Sequence, residues 1–329
     1  MSQEHHASRT QVALGFAAVY ILWGSTYLGI RFAVASLPPL LMAGSRHLLA
    51  GLLLYAIMRA RGAPRPTLVN WRSAVLLGTL LLVGGNGLVT LAEETVPSGI
   101  TALMVAAVPF WMVLLNAADR RSWPRLSVLG GLLLGVVGLA ILVFPTGGHA
   151  PDHVDPVGIL MLVGATFSWG VGSLYAHRAQ LPSSTFLGIG MEMIAGGVLS
   201  WAIGLLMGEG SGLHLAYFTG KSLLAFGYLV IFGSLLGFSA YVWLLHHVSA
   251  ARVSTYAYVN PVVAVFLGWA FASEPISWVT LVSAAVIISS VALITVSRGH
   301  RAAPQAALAD DPASEAPTVT ESSHALGRH

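Results

Sequence analysis

The residues that could do chemistry in this chain lie inside long apolar runs. Arg46 and Glu192 each stand about a third of the way into such a run. A charge at mid-bilayer costs on the order of 2.5–3.5 kcal/mol on insertion scales, so it takes a partner or faces water. The two could form a substrate- or proton-linked pair or a structural ion pair; the structural pair is the reading favoured. Asn86, Thr90 and Glu93 recur at i, i+4 and i+7 and share one helix face. That polar stripe either leads to a mouth or makes interhelical hydrogen bonds, with Glu93 and Glu94 close enough to the interface to be solvated. Trp23 with Thr26, and Trp169 with Ser173, pair an aromatic ring with a hydroxyl in mid-run, as a core contact or a stacking wall. Tyr241 shares a face with Ser234 and Phe238. Tyr256, Tyr258 and Asn260 crowd one stretch, and their rings would suit amphipathic or aromatic solutes, including cations.

Two prolines set the elements that would position these groups. Pro261 follows Asn260 and lacks the N–H that would reach the carbonyl of Ala257. Pro109 occupies the corresponding place in the first half. A broken helix in each of two matching halves points to a transporter's binding site, because freed backbone at membrane depth survives only against protein or a wet cavity.

Composition bounds the rest. The 329 residues are 56% hydrophobic and only 9% charged, with mean hydropathy +0.77. Soluble domains carry about 25% charged residues, so the expectation is a multispan membrane protein with the lipid bilayer as partner. Long apolar runs without strand alternation argue for helices and against a barrel. The net charge of +3 is no nucleic-acid footprint, since the basic residues sit in short loops. With no cysteine there is no disulfide or thiol chemistry. Neither a Walker A loop, His-Glu-x-x-His nor Gly-x-Ser-x-Gly is present, so no nucleotide, metal, other cofactor or enzyme activity is expected. Nor does the polar start, residues 1–10, lead into a cleavable signal.

Windows of roughly 19 residues give ten spans, near 12–30, 39–58, 73–91, 97–118, 127–145, 157–176, 184–206, 222–245, 253–273 and 277–297. Counting loops and tails, 13 of 16 basic residues fall on one side, with Arg31 and Lys221 on the other and Arg46 inside a span. The positive-inside rule then places both termini in the cytoplasm of a bacterial inner membrane. Residues 1–10 read as a cytoplasmic tail and 299–329, rich in Ala, Pro, Ser, Asp and Glu, as a disordered one.

The halves repeat. An offset of 146 carries Trp23 onto Trp169, Arg46 onto Glu192 and Ala50-Gly51 onto Gly196-Gly197; an offset of 152 carries Pro109 onto Pro261. Five spans per half is odd, so the halves, 11–146 and 156–298, enter the membrane from opposite sides. The expected fold is therefore all-α and integral to the membrane: ten transmembrane helices as two inverted five-helix repeats. Glycines at 130, 131, 135 and 138 and Ala284, Ala285, Ser289 and Ser290 mark spans five and ten as packing elements.

The run Tyr20-Ile-Leu-Trp-Gly-Ser-Thr-Tyr27, then Pro38-Pro39-Leu-Leu-Met-Ala-Gly-Ser-Arg46, Gly85-Asn-Gly-Leu-Val-Thr90, Val96-Pro-Ser-Gly99, Tyr256-Ala-Tyr-Val-Asn-Pro261 and Glu274 resembles the EamA family of the drug/metabolite transporter superfamily. The resemblance covers about residues 11–298. It implies a central cavity between the halves and export of small metabolites or drugs. The reading is thus a secondary transporter for a small molecule, with a passive facilitator or channel-like pore as the alternative. A monomer would suffice, and small-residue faces would also permit a homodimer.

Overall fold

The computed structural model describes residues 8–120, 126–143, 155–213, 215–248, 253 and 255–299. The two tails of the sequence reading lie outside these, up to residue 7 and from residue 300 onward. Among the described residues all regular structure is helical. Eight helices are long and apolar enough to cross a membrane: α1 Arg9–Val34, α2 Pro39–Ala60, α3 Leu68–Ala92, α4 Ser98–Asp119, α5 Leu126–Val143, α6 Pro156–Ala176, α7 Thr185–Leu206 and α8 Gly220–Tyr241, the last prolonged to His247. Two further helices, α9 Tyr256–Ala272 and α10 Trp278–Gly299, have shorter apolar stretches, Val259–Ala272 and Trp278–Ile294.

Most of the helix starts follow from local chemistry. Ser8 with Gln11, and Thr67 with Asn70, form reciprocal capping boxes, and Asp155 precedes Pro156 at the first position of α6. Two of the starts without a local cap are served from a distance. α2 and α4 open after Pro38 and Pro97, which offer no side-chain acceptor. Distant carboxylates supply it: Glu209 accepts from the N–H groups of Leu40 (3.1 Å) and Leu41 (2.9 Å), and Glu274 from Ser98 (2.8 Å) and Gly99 (3.1 Å). An anion at a helix N-terminus satisfies orphan donors and the dipole together. Glu209 thus ties the end of α7 to α2, and Glu274 ties the end of α9 to α4. Gly208 (φ 87°) and Ser273 (φ 56°) place those glutamates by ending α7 and α9 in the left-handed region, costly for serine because of its Cβ.

The neighbour pattern is regular. α2 packs mainly on α7, α5 on α10 and α4 on α9; α1 lies against α8 and α9, and α6 against α3 and α4. Exchanging each helix for the one five places away leaves that pattern unchanged. The α2–α7 crossing is backbone to backbone. A Cβ on Gly44 would come within 2.9 Å of the Gly197 carbonyl oxygen, and one on Gly51 within 2.9 Å of that of Gly190. Only glycine permits this approach. α5 and α10 pack as closely, with the Ser290 hydroxyl donating to the Gly131 carbonyl at 2.6 Å.

Two features depart from the helices the sequence predicts. α3 is π-helical from Gly78 to Gly87, and α8 from Leu229 to Leu236, at matching places in the two halves. The proline breaks differ from each other. α4 is interrupted by a turn at Ala106–Ala107, before Pro109. α9 continues through Pro261, so this proline does not break it. The helix starts only at Tyr256, which leaves Pro261 within its second turn and removes a single backbone bond.

Candidate functional site

Five of the predicted residues fall in two clusters, and Tyr27 lies within electrostatic reach of both. The first is aromatic. The Trp23 ring from α1 lies 5.4 Å from Phe238, 5.0 Å from Tyr241 and 5.2 Å from Tyr256, and Tyr241 and Tyr256 are 5.9 Å apart. Most of these pairs are edge-on, the arrangement that ring quadrupoles favour. Trp23 Nε1–H donates to the Gly233 carbonyl (3.3 Å) in the π-helical stretch of α8. Gly237 makes room: a Cβ there would sit 2.6 Å from that nitrogen. Beside the cluster the Tyr20 and Thr255 hydroxyls are 2.5 Å apart, tying α1 to the start of α9.

The second cluster is charged and buried. Arg46 is 5% exposed, and its Nε–H donates to Ser234 Oγ (2.8 Å). Its Nη1 is buried with no partner among the described residues. Glu93 is 0% exposed, and both of its carboxylate oxygens are likewise without a partner. Arg31 holds its backbone instead, donating to the carbonyls of Glu93 (2.6 Å) and Glu94 (2.9 Å). Burial, then the Glu274 charge, pushes the Glu93 carboxyl well above the ordinary carboxylate range, against the opposing pull of Arg31 and Arg46. Tyr27 lies within electrostatic reach of both Glu93 and Tyr256. Next to Glu93 an open cleft of about 540 Å³ is lined by Arg31, Phe32, Glu94, Lys221, Phe271 and Ser273.

The remaining candidates fall elsewhere. Arg46 and Glu192 form no ion pair: the partner of Arg46 is Ser234, and Arg178–Asp119 is the ion pair seen among the described residues. Glu192 stands one residue after Met191, on the part of α7 that crosses α2 at Gly190; its carbonyl faces Gly78 of α3. The hydroxyls of Thr26 and Ser173 turn back on their own helices, bonding the carbonyls of Trp23 (2.6 Å) and Trp169 (2.7 Å). Trp169 rests on Gly85, where a Cβ would meet Cε3 at 2.7 Å. Asn86 is half-buried and Asn260 buried, and each has an unpartnered Oδ1. The side chain of Tyr258 lies outside the described residues. Glu93 is no solvated interfacial group, because its side chain is fully buried. The π-helical stretches were missed as site elements, and Ser234, read only as sharing a face with Tyr241, was not foreseen as the partner of Arg46. Gly84-Gly85-Asn86-Gly87 is the one sequence signal that could have exposed the first stretch.

The sequence profile of the EamA-like transporter family matches this chain twice, at residues 10–144 and 156–296. The chain belongs to that family. Relatives of this EamA chain include the uncharacterized inner membrane transporter YedA of Escherichia coli K12, 39% identical over 282 residues that cover 85% of this chain and 89% of YedA. A probable amino-acid metabolite efflux pump of Salmonella typhimurium LT2 is 22% identical over 84% of this chain and 93% of its own length. A chain of known crystal structure shares the fold, with a TM-score of 0.58 at 22% identity, covering 88% of this chain and 99% of that one. The EamA protein is thus a multi-pass membrane protein from a family of transporters.

Proposed function

We propose that this protein is a secondary transporter of the bacterial inner membrane that exports small organic solutes by alternating access. The observation that carries this reading is the exchange symmetry of the packing about the glycine-lined α2–α7 crossing. Two five-helix units related in that way can rock against each other around a site held between them. The double match of the family profile supports repeats at residues 11–146 and 156–298, and the basic-residue bias supports ten spans with both termini cytoplasmic. Efflux of amino-acid metabolites is what one relative's name describes, and it supports export of metabolites, amino acids or drugs. In this reading Trp23, Tyr241, Tyr256, Tyr258, Asn86 and Asn260 wall the path, with Thr26, Trp169 and Ser173 behind them. Arg46, Glu93 and Glu192 supply its ionisable groups, and Pro109 and Pro261 shape its backbone. No step requires a bound cofactor, and one chain suffices, with a homodimer left possible by the lipid-facing surfaces.

Reconstitution tests this. Proteoliposomes preloaded with a metabolite panel should show saturable flux that trans-substrate accelerates. Flux that never saturates and shows no counterflow would instead mark a pore or passive facilitator.

A further inference from the structure

Arg46 and Glu93 are buried together, each senses the other's charge, and neither bonds the other. In a low-dielectric interior such groups carry a large cost unless something occupies them. We propose that they form a receptor for an organic carboxylate that binds together with a proton, the carboxylate on Nη1 of Arg46 and the proton on the Glu93 side chain.

The charge balance sets the sign. The groups facing Glu93 are Tyr27 and Arg31 from α1, Arg46 from α2 and Glu274 after α9; Glu94 lies beside it, and Asp155, at the head of α6, is held by Thr95 at 3.1 Å. With Glu93 ionised, the charges of Arg31 and Arg46 are matched by those of Glu93 and Glu274. Protonating Glu93 leaves the cluster one positive charge in excess, which a carboxylate on Arg46 neutralises. Conversely, an anion on Arg46 cancels a charge that opposes protonation of Glu93, so proton and anion favour each other by linkage. The geometry suits this. Ser234 holds Arg46 by Nε and leaves Nη1 for the ligand, while the Arg31 clamp fixes the Glu93 backbone without consuming its carboxylate. The cleft beside Glu94 reaches the Arg31 clamp, and the aromatic cluster beyond Tyr27 offers a surface for an organic body.

This inference names a substrate class for the proposed transporter and rests on that reading, but its test needs no transport. Binding of acetate, benzoate and 3-phenylpropionate to the purified full chain would be measured between about pH 5 and pH 8, with proton uptake followed in weakly buffered solution. We expect proton uptake to rise toward one per carboxylate bound as pH passes the raised Glu93 pKa of the free protein, and affinity to fall about tenfold per pH unit above it. E93Q should bind with no pH dependence, and R46Q should bind about 10–100-fold more weakly at every pH. Failure of all three carboxylates to bind, proton release on binding, or undiminished binding by folded R46Q would each overturn the proposal. If R46Q does not fold, proton uptake by the unmutated protein decides alone. Binding without flux would sink the transporter reading and leave the receptor; flux indifferent to both variants would do the reverse.

Discussion

The two halves place a tryptophan on a glycine in the same way and then diverge. Trp23 rests on Gly237 and Trp169 on Gly85, positions that the offset of 152 equates. Around Trp23 stand Phe238, Tyr241 and Tyr256; the same offset equates these positions with Asn86, Val89 and Met104. The shared contact therefore belongs to the fold. The added rings belong to one half only, and they lock α1, α8 and α9 together where the other half has no ring. A pseudo-symmetric frame with unequal walls is what a carrier needs if its two ends are to close by different contacts.

Tryptophan truncation should separate the halves most. Trp23→Ala loses three ring partners and a hydrogen bond and should destabilise by about 3–5 kcal/mol, whereas Trp169→Ala, with no ring pair among the described residues, should cost visibly less. Thermal unfolding in detergent would measure both, and equal losses would break the contrast. The glycines should behave alike. Gly237→Leu and Gly85→Leu each drive a side chain into an indole, and each should cost about 1–3 kcal/mol or more. A large effect at only one of them would mean that the shared contact is not part of the frame.

A smaller effect comes from Glu93, which has no counterpart in the second half. Its carboxyl is raised in the folded state above the ordinary 4.5, so the folded protein binds the extra proton. Stability should be complete below about pH 4.5 and fall by about 1.4 kcal/mol per pH unit as pH rises toward the folded pKa. E93Q should abolish that slope; a slope that survives would place the titration elsewhere. The smallest effects should come from Thr26→Val and Ser173→Ala, about 0.5 kcal/mol or less, because both hydroxyls only back-bond within a helix. Loss of solute binding in either folded variant would show that the hydroxyl turns toward the path.

Much of this was legible in the sequence. The apolar runs gave the helices, and the offset of 146 equates Gly44 with Gly190 and Gly51 with Gly197, the four glycines of the α2–α7 crossing. Hydropathy could not reveal the π-helical stretches, since i→i+5 bonding leaves the composition of a helix unchanged. Nor could spacing show which charges meet. Arg46 and Glu192 are equated by the sequence offset, but an offset that equates two positions does not bring them into contact; Gly44 meets Gly197 and not its own counterpart, Gly190. Pro261 misled because its effect depends on where α9 starts, and the turn at Thr255 sets that. Glu93 was placed by its distance from the end of an apolar run. Its side chain is buried, and its backbone carbonyl is held by Arg31, a residue 62 positions away.

The proposed rocking of the two five-helix units requires α1 and α9, one from each unit, to part for solute to pass. The chain has no native cysteine, so Tyr20→Cys with Thr255→Cys introduces a pair where two hydroxyls now touch. Solute flux through proteoliposomes should proceed in the reduced double variant, stop on crosslinking and return with reductant. Undiminished flux with the two helices crosslinked would contradict the account.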